Sequence, residues 1–164
     1  LDGLDYAHHQ DIIHRDIKPG NILMESRSNR PIILDFGIAK VSRGLDNESS
    51  SIQGTPMYMP PEQIRSETAD RRADIYASGM MLFEMLVTDL PLPRIDPVEL
   101  LLLKLKEKDR LFKTKPSEMN SKVYPDMDSI VFKAIAFDPR DRFASCAEFR
   151  QALLSYQNRH LGKA

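Results

Sequence analysis

The sequence HRDIKPGN at residues 14–21 constrains this chain more than any other stretch. The tripeptide DFG follows at residues 35–37, and between the two motifs lie an apolar segment, a polar turn and a second apolar segment. This order predicts a loop, a strand, a turn, a second strand and another loop. Such a hairpin would bring Asp16, Asn21 and Asp35 to one edge, where their oxygens suit a magnesium ion and a proton acceptor.

Composition excludes several classes of protein. The chain has 164 residues, which is enough for one domain with a hydrophobic core. Its 23 basic and 24 acidic residues give a net charge of −1, which argues against nucleic acid as a partner. The single cysteine, Cys146, leaves no possibility of an intrachain disulfide. No apolar run approaches the roughly 20 residues that a membrane helix needs, so no membrane segment is predicted within the chain.

Together, the motifs resemble the catalytic loop and the metal-binding loop of the protein kinase superfamily. The sequence around them, at residues 5–24, is similar to that of the eukaryotic-like serine/threonine kinases of bacteria. The resemblance covers residues 1–156 and only the larger lobe of a kinase. It implies a mainly α fold with a short β-hairpin at the active site, the kinase C-terminal lobe. Residues 157–164 are expected to form a polar tail.

The resemblance implies that Asp16 is the catalytic base, since a carboxylate there can accept the proton of an attacking hydroxyl. Lys18 lies two residues further on and is expected to stabilise charge on the transferred phosphoryl group. In the kinase family such a lysine favours Ser or Thr acceptors over Tyr. The alternative interpretation is that this cluster is only a polar turn of capping residues.

ATP and Mg²⁺ are the cofactors that the resemblance implies. Asn21 and Asp35 are the expected magnesium ligands, because an amide oxygen and a carboxylate suit this ion. Leu23 is expected to form the floor beneath the adenine ring. A plain core leucine is compatible with that role.

The sequence GTPMYMPPE at residues 54–62 resembles the run that closes a kinase activation segment, with Pro60 in place of the usual alanine. The match implies that Thr55 hydrogen-bonds near the catalytic Asp and Lys.

A polar loop without periodicity precedes this run. The resemblance makes Ser51 the expected phosphorylation site, ahead of Ser49 and Ser50. Arg15 and Lys40 match positions that cradle the added phosphate through charge-assisted hydrogen bonds. The alternative is that these serines are simply solvated residues in a flexible linker.

Five residues carry structural expectations from the same resemblance. His14 is expected to pack near Phe36 and not to shuttle protons. Asp74 is expected to accept backbone N–H groups of the catalytic loop, although an ordinary helix-capping role is also sound. Arg142 is expected to pair with Glu62, the residue that closes the activation segment.

Helical patterns occur at residues 1–10, 74–88, 98–107 and 127–136, and a capping box at residues 145–148 is expected to open a last helix. The second pattern is apolar on most faces, which predicts a buried helix. In the third, Lys104, Lys106 and Lys108 are assigned to the polar side. His8, in the first, is expected to be a surface or packing residue.

The predicted function is transfer of the γ-phosphoryl group of MgATP to Ser or Thr hydroxyls of protein substrates. The N-terminal lobe, with its Gly-rich loop and strand lysine, is not found in this sequence, so we expect a fragment that needs that lobe as a partner and is inactive or nearly so by itself. The alternative is a non-catalytic regulatory or binding module, or a gene remnant. A cytoplasmic location is expected for this segment, either as a free protein or as the cytoplasmic part of a membrane-anchored one.

Overall fold

The computed structural model describes residues 1–36, 56–160 and 162. This part of the chain contains seven α-helices, three short 3₁₀ helices and one two-stranded sheet, which confirms the mainly α prediction. The helices are α1 (Asp2–His9), α2 (Pro61–Ile64), α3 (Arg72–Val87), α4 (Pro97–Glu107), α5 (Pro116–Met119), α6 (Asp126–Ala134) and α7 (Cys146–His160), and the strands are β1 (Ile22–Met24) and β2 (Pro31–Ile33). No helix among the described residues has the length and apolar character to cross a membrane.

The two strands form the predicted antiparallel hairpin, in which Ile22 lies opposite Ile33 and Leu23 lies opposite Ile32. The ladder continues by one bond beyond the strands, because the Leu34 amide donates to the carbonyl of Asn21 at 2.8 Å. The end of the catalytic loop therefore lies beside the start of the DFG motif. Leu23 is 52% exposed, so it does not belong to the core of the described residues.

Helix α3 lies at the centre of the core. Ile75, Met80 and Phe83 are fully buried on it, and α6 crosses α3 at Gly79. A Cβ atom at Gly79 would lie only 2.7 Å from the Cβ of Ala134, so glycine is required for this close approach.

Helix α3 differs from the prediction at both ends and on one face. It begins at Arg72 instead of Asp74 and ends at Val87, because the next residue, Thr88, has a positive φ of 70°. The predicted burial holds on the core side, but Met85 is 72% exposed. This open face lines an apolar groove of about 1,120 Å³ together with α1, the hairpin and α7.

The last two helices also differ from the sequence pattern. Helix α6 ends at Ala134, two residues earlier than predicted. The Ser145 hydroxyl accepts the Glu148 amide at 3.1 Å, as in a capping box, but the Glu148 carboxylate accepts the amide of Ala144 instead of that of Ser145. Helix α7 continues past residue 156 to His160, whose ring stacks on Tyr124.

Glu62 and Arg142 form the predicted ion pair across 80 residues of sequence. The guanidinium donates to both carboxylate oxygens, at 2.7 and 2.8 Å. Its remaining donors bind backbone carbonyls of Arg72, Ala136 and Phe137. All five N–H groups of Arg142 are therefore satisfied, in a site where its side chain is 0% exposed.

Lys104 is the clearest correction to the sequence-based assignment, because its side chain is buried and not on the polar face of α4. Its ammonium donates to the carbonyls of Pro56, Met57 and Met59 at 2.8, 2.6 and 2.9 Å. It also lies 5.3 Å from the ring centre of Tyr76. Burial lowers the pKa of Lys104 to about 7.

We expect loss of either partner of the Glu62–Arg142 pair to destabilise the fold. Glu62→Ala or Arg142→Ala should lower the free energy of unfolding by about 3–5 kcal/mol, because each leaves a buried charge without its partner. The matched control is Lys133→Ala, which breaks an ion pair whose side chains are 43% and 44% exposed and should cost less than about 1 kcal/mol. Urea unfolding measures all three, and wild-type stability in both buried variants would refute the expectation.

The lowered pKa of Lys104 also predicts how stability depends on pH. Between about pH 7 and 10.5 the native protein loses a proton that the unfolded chain keeps, so this group makes unfolding less favourable as pH rises. Lys104→Met cannot titrate at this position. Relative to that variant, the wild-type free energy of unfolding should rise by up to about 1.4 kcal/mol per pH unit in that window. Below the window, the free energies of unfolding of the two proteins should depend on pH in the same way. Urea unfolding from pH 6 to 9 tests this, with Lys106→Met as the control. Parallel curves for wild type and Lys104→Met throughout would contradict it.

Candidate active site

Three of the predicted site residues form one cluster around the Asp16 carboxylate. The Lys18 ammonium donates to Asp16 Oδ2 at 3.0 Å, and the Asn21 amide nitrogen donates to the same oxygen at 3.2 Å and to the Asp16 carbonyl at 2.7 Å. A single 3₁₀ turn, Pro19–Asn21, brings Asn21 back to Asp16. No side chain caps this turn among the described residues.

His14 links this loop to the DFG motif. The Asp16 amide donates to His14 Nδ1 at 3.2 Å, so Nδ1 carries no proton and Nε2–H is the donor to the Leu34 carbonyl at 2.8 Å. The ring also packs against Phe36, with the ring centres 4.9 Å apart. Both ring nitrogens serve backbone groups in a fully buried site, so the arrangement suits a structural role and not proton transfer.

The buried Asp74 carboxylate holds the catalytic loop from beneath. Oδ2 accepts the His14 amide at 2.9 Å, and Oδ1 accepts the Arg15 amide at 2.8 Å. The amide of Arg72 at the start of α3 is bound by Asp70 instead, so Asp74 supports the loop and does not cap its own helix.

Two residues beside the cluster have left-handed backbone conformations without being glycine: Arg15 has φ of 64° and Asp35 has φ of 54°. Such conformations are costly and persist where the surroundings enforce them. Arg15 is held on both sides, because Asp74 binds its amide and the Gln63 side chain donates to its carbonyl at 3.0 Å. The exposed Asp35 carboxylate follows Leu34, whose amide and carbonyl are both bonded.

His8 is a residue whose role the sequence underestimated. Its Nε2 bonds to Asp74 Oδ2 at 2.8 Å, and its Nδ1 lies 3.7 Å from the sulfur of Cys146. Burial raises the pKa of the Cys146 thiol to about 12, so its proton is retained and can face the ring. The spacing of Leu4 and His8 along the inner face of α1 was the available signal.

The oxygen donors suit the cofactors that the sequence implies. Asn21 commits its amide nitrogen to Asp16, so its amide oxygen is the atom it can offer to a cation. Together with the Asp35 carboxylate this makes two hard oxygen ligands, and magnesium commonly takes the remainder from phosphates and water. Leu23, on strand β1 directly after Asn21, has an exposed apolar side chain.

The remaining candidates are only partly described. Thr55, Ser51 and Lys40 lie outside the described residues. Arg15, the other predicted phosphate ligand, has a buried Nε without a hydrogen-bond partner in the part of the chain that the structure describes.

Comparison with known proteins defines the class. The protein kinase domain family matches residues 1–154, so the chain belongs to the protein kinase family. The family prediction made from the catalytic-loop and DFG motifs is confirmed.

The relatives include serine/threonine-protein kinase PknB of Mycolicibacterium smegmatis, which is 36% identical over 154 residues, or 92% of this chain and 24% of the relative. The probable serine/threonine-protein kinase PknB of Bifidobacterium longum is 38% identical over 161 residues, or 96% and 23%. The solved PknI kinase domain of Mycobacterium tuberculosis matches with a TM-score of 0.65 and 28% identity, over 94% of this chain and 50% of that one. The chain thus spans about a quarter of these curated relatives and half of the solved domain, which fits the helical C-terminal lobe.

Replacing Asp74 should loosen the catalytic loop specifically. In Asp74→Asn one carboxylate oxygen becomes an NH₂ group that cannot accept, so at least one buried N–H loses its partner, at a cost of about 2–4 kcal/mol. Hydrogen exchange at the amides of His14 and Arg15 should accelerate. The matched control is Asp128→Asn, since Asp128 is also buried but accepts from Ser117 far along the chain. Equal exchange in the two variants would argue against this role of Asp74.

Proposed function

We propose that this chain is the C-terminal lobe of a serine/threonine protein kinase that transfers the γ-phosphoryl group of ATP to Ser or Thr hydroxyls of proteins. The observation that carries the proposal is the Asp16 carboxylate, which is held by Lys18 and Asn21 and remains partly open to solvent, with its side chain 24% exposed. In the reaction a bond forms between the acceptor oxygen and phosphorus. The bond from phosphorus to the β–γ bridging oxygen breaks, and ADP leaves.

Asp16 would orient the acceptor hydroxyl and take its proton. Lys18, whose ammonium lies 3.0 Å from Asp16 Oδ2, would stabilise negative charge on the phosphoryl group in transfer. It also keeps the carboxylate in one orientation. The relatives named serine/threonine-protein kinases support a hydroxyl on Ser or Thr as the acceptor.

Asn21 and Asp35 would hold magnesium, which neutralises charge on the phosphates when it is bound. Asp35, which has a positive φ, directly follows Leu34, whose amide is hydrogen-bonded to Asn21. The backbone that carries the Asp35 carboxylate is therefore held in place. Leu23 would contact the adenine ring. Its exposure on the hairpin supports this role, since a residue buried in the lobe could not serve it.

Regulation is proposed to involve phosphorylation of Ser51. Arg15 and Lys40 would bind the added phosphate, and Thr55 would hydrogen-bond beside the catalytic Asp and Lys. Support comes from Arg15, whose buried Nε lacks a partner among the residues described. A phosphate would supply a charge-assisted acceptor for it.

Catalysis is proposed to require the N-terminal lobe of a kinase domain, and the present chain to be inactive or nearly so by itself. Support comes from the solved PknI kinase domain, of which this chain matches 50%. The kinase would act on protein substrates in the cytoplasm.

The test is phosphoryl transfer from labelled ATP to casein by the full protein as its gene encodes it. We expect magnesium-dependent transfer that falls by roughly 10²–10⁴-fold in Asp16→Asn and is lost in Asp35→Ala, while the 164-residue chain gives none. Lys122→Ala, an exposed position far from the loop, is the control variant.

A folded, magnesium-supplied full protein without transfer would overturn the kinase proposal and favour a regulatory module. Turnover by the 164-residue chain that disappears in Asp16→Asn would overturn only the requirement for a second lobe.

A further inference from the structure

Lys104 joins helix α4 to the loop that precedes α2. Its side chain is among the largest fully buried ones in the described residues, and its ammonium has three donors for three carbonyls within 2.9 Å. The carbonyls belong to Pro56, Met57 and Met59, so one side chain fixes nearly every peptide unit of this short loop. Only the protonated amine of Lys104 can donate to all three acceptors, because the neutral amine has two N–H donors.

The same loop is bound at one further point, and helix α2, which follows it, is bound at another. The Tyr58 hydroxyl donates to Glu84 of α3 at 2.6 Å, and burial raises the pKa of this phenol, so it remains a donor. A few residues further on, the Gln63 side chain donates to the Arg15 carbonyl, next to Asp16. The loop and α2 together therefore connect α4 to the catalytic loop.

This connection lies on one side of the candidate site. The proposed nucleotide and magnesium ligands, Leu23, Asn21 and Asp35, are on or beside the hairpin. Residues 56–63 meet the catalytic loop at Arg15 instead, on the side of α2 and α4. Residues 56–63 therefore lie next to the catalytic loop and away from the hairpin, where an acceptor segment can reach Asp16 without meeting the proposed ATP ligands.

We propose that Lys104 is a positioning residue for the acceptor protein: it holds the backbone of residues 56–59 in the shape against which the acceptor segment lies. The proposal rests on the kinase function proposed above. Lys104 touches neither substrate nor cofactor and acts through the loop alone. Its effect therefore falls on recognition of the acceptor and not on binding of ATP.

Steady-state kinetics of the full protein with casein and MgATP separate these effects. In Lys104→Met we expect kcat/KM for casein to fall about tenfold or more, since a loop displaced by an ångström is costly, while KM for MgATP changes by less than about twofold. Lys104→Arg keeps the charge and several donors and should recover part of the loss. Lys106→Met, exposed on the same helix, should behave as wild type.

Hydrogen exchange of residues 57–63 in the same proteins reports on the loop without needing activity. We expect faster exchange in Lys104→Met than in Lys106→Met, and Lys104→Gln, which keeps two donors, replaces the methionine variant if that one does not fold. Unchanged casein kinetics, equal losses for casein and MgATP, or identical exchange would each overturn the proposal. No transfer by wild type would instead overturn the kinase function, and the exchange result would still decide whether Lys104 fixes the loop.

Discussion

The candidate site depends on one buried carboxylate. Asp74, in the first turn of the central helix, binds the amides of His14 and Arg15 and the ring of His8. A buried carboxylate is tolerated only when hydrogen bonds replace its hydration, and here two loop amides and a histidine do so. In return they fix the left-handed Arg15 that precedes the catalytic aspartate. The same hydrogen bonds therefore stabilise the buried charge of Asp74 and hold the catalytic loop in place.

Two buried cations organise the other side of the lobe. Arg142 lies 4.8 Å and Lys104 lies 5.3 Å from the ring centre of Tyr76. Each of the two side chains donates hydrogen bonds to backbone carbonyls, and Arg142 also donates to the Glu62 carboxylate. Burial raises the pKa of the Tyr76 phenol, so the ring remains neutral between them. Charge is used here to hold irregular backbone that has no ladder or helix of its own to satisfy it.

Much of this could be predicted from sequence because it is carried by motifs or by periodicity. The hairpin, the five longer helices and the Glu62–Arg142 pair followed from residue spacing and from resemblance, whereas the short helices α2 and α5 were not predicted. The burial of Lys104 did not, because a lysine among leucines on an amphipathic pattern is normally solvated and its carbonyl partners lie 45–48 residues away. His8 was underestimated for the same reason, since Asp74 is 66 residues away. Exposure of Met85 was missed because an all-round apolar pattern does not show which face lacks a neighbour.

These long separations have a consequence for how the site forms. The bonds that shape the catalytic loop join positions 59–66 residues apart, and the Glu62–Arg142 pair spans 80. Contacts between such distant positions close large loops and form after local helices and turns. The conformation of Arg15, and with it the placement of Asp16, is therefore a late product of folding. A partly folded or newly synthesised chain would carry the HRD sequence without the geometry that the sequence encodes.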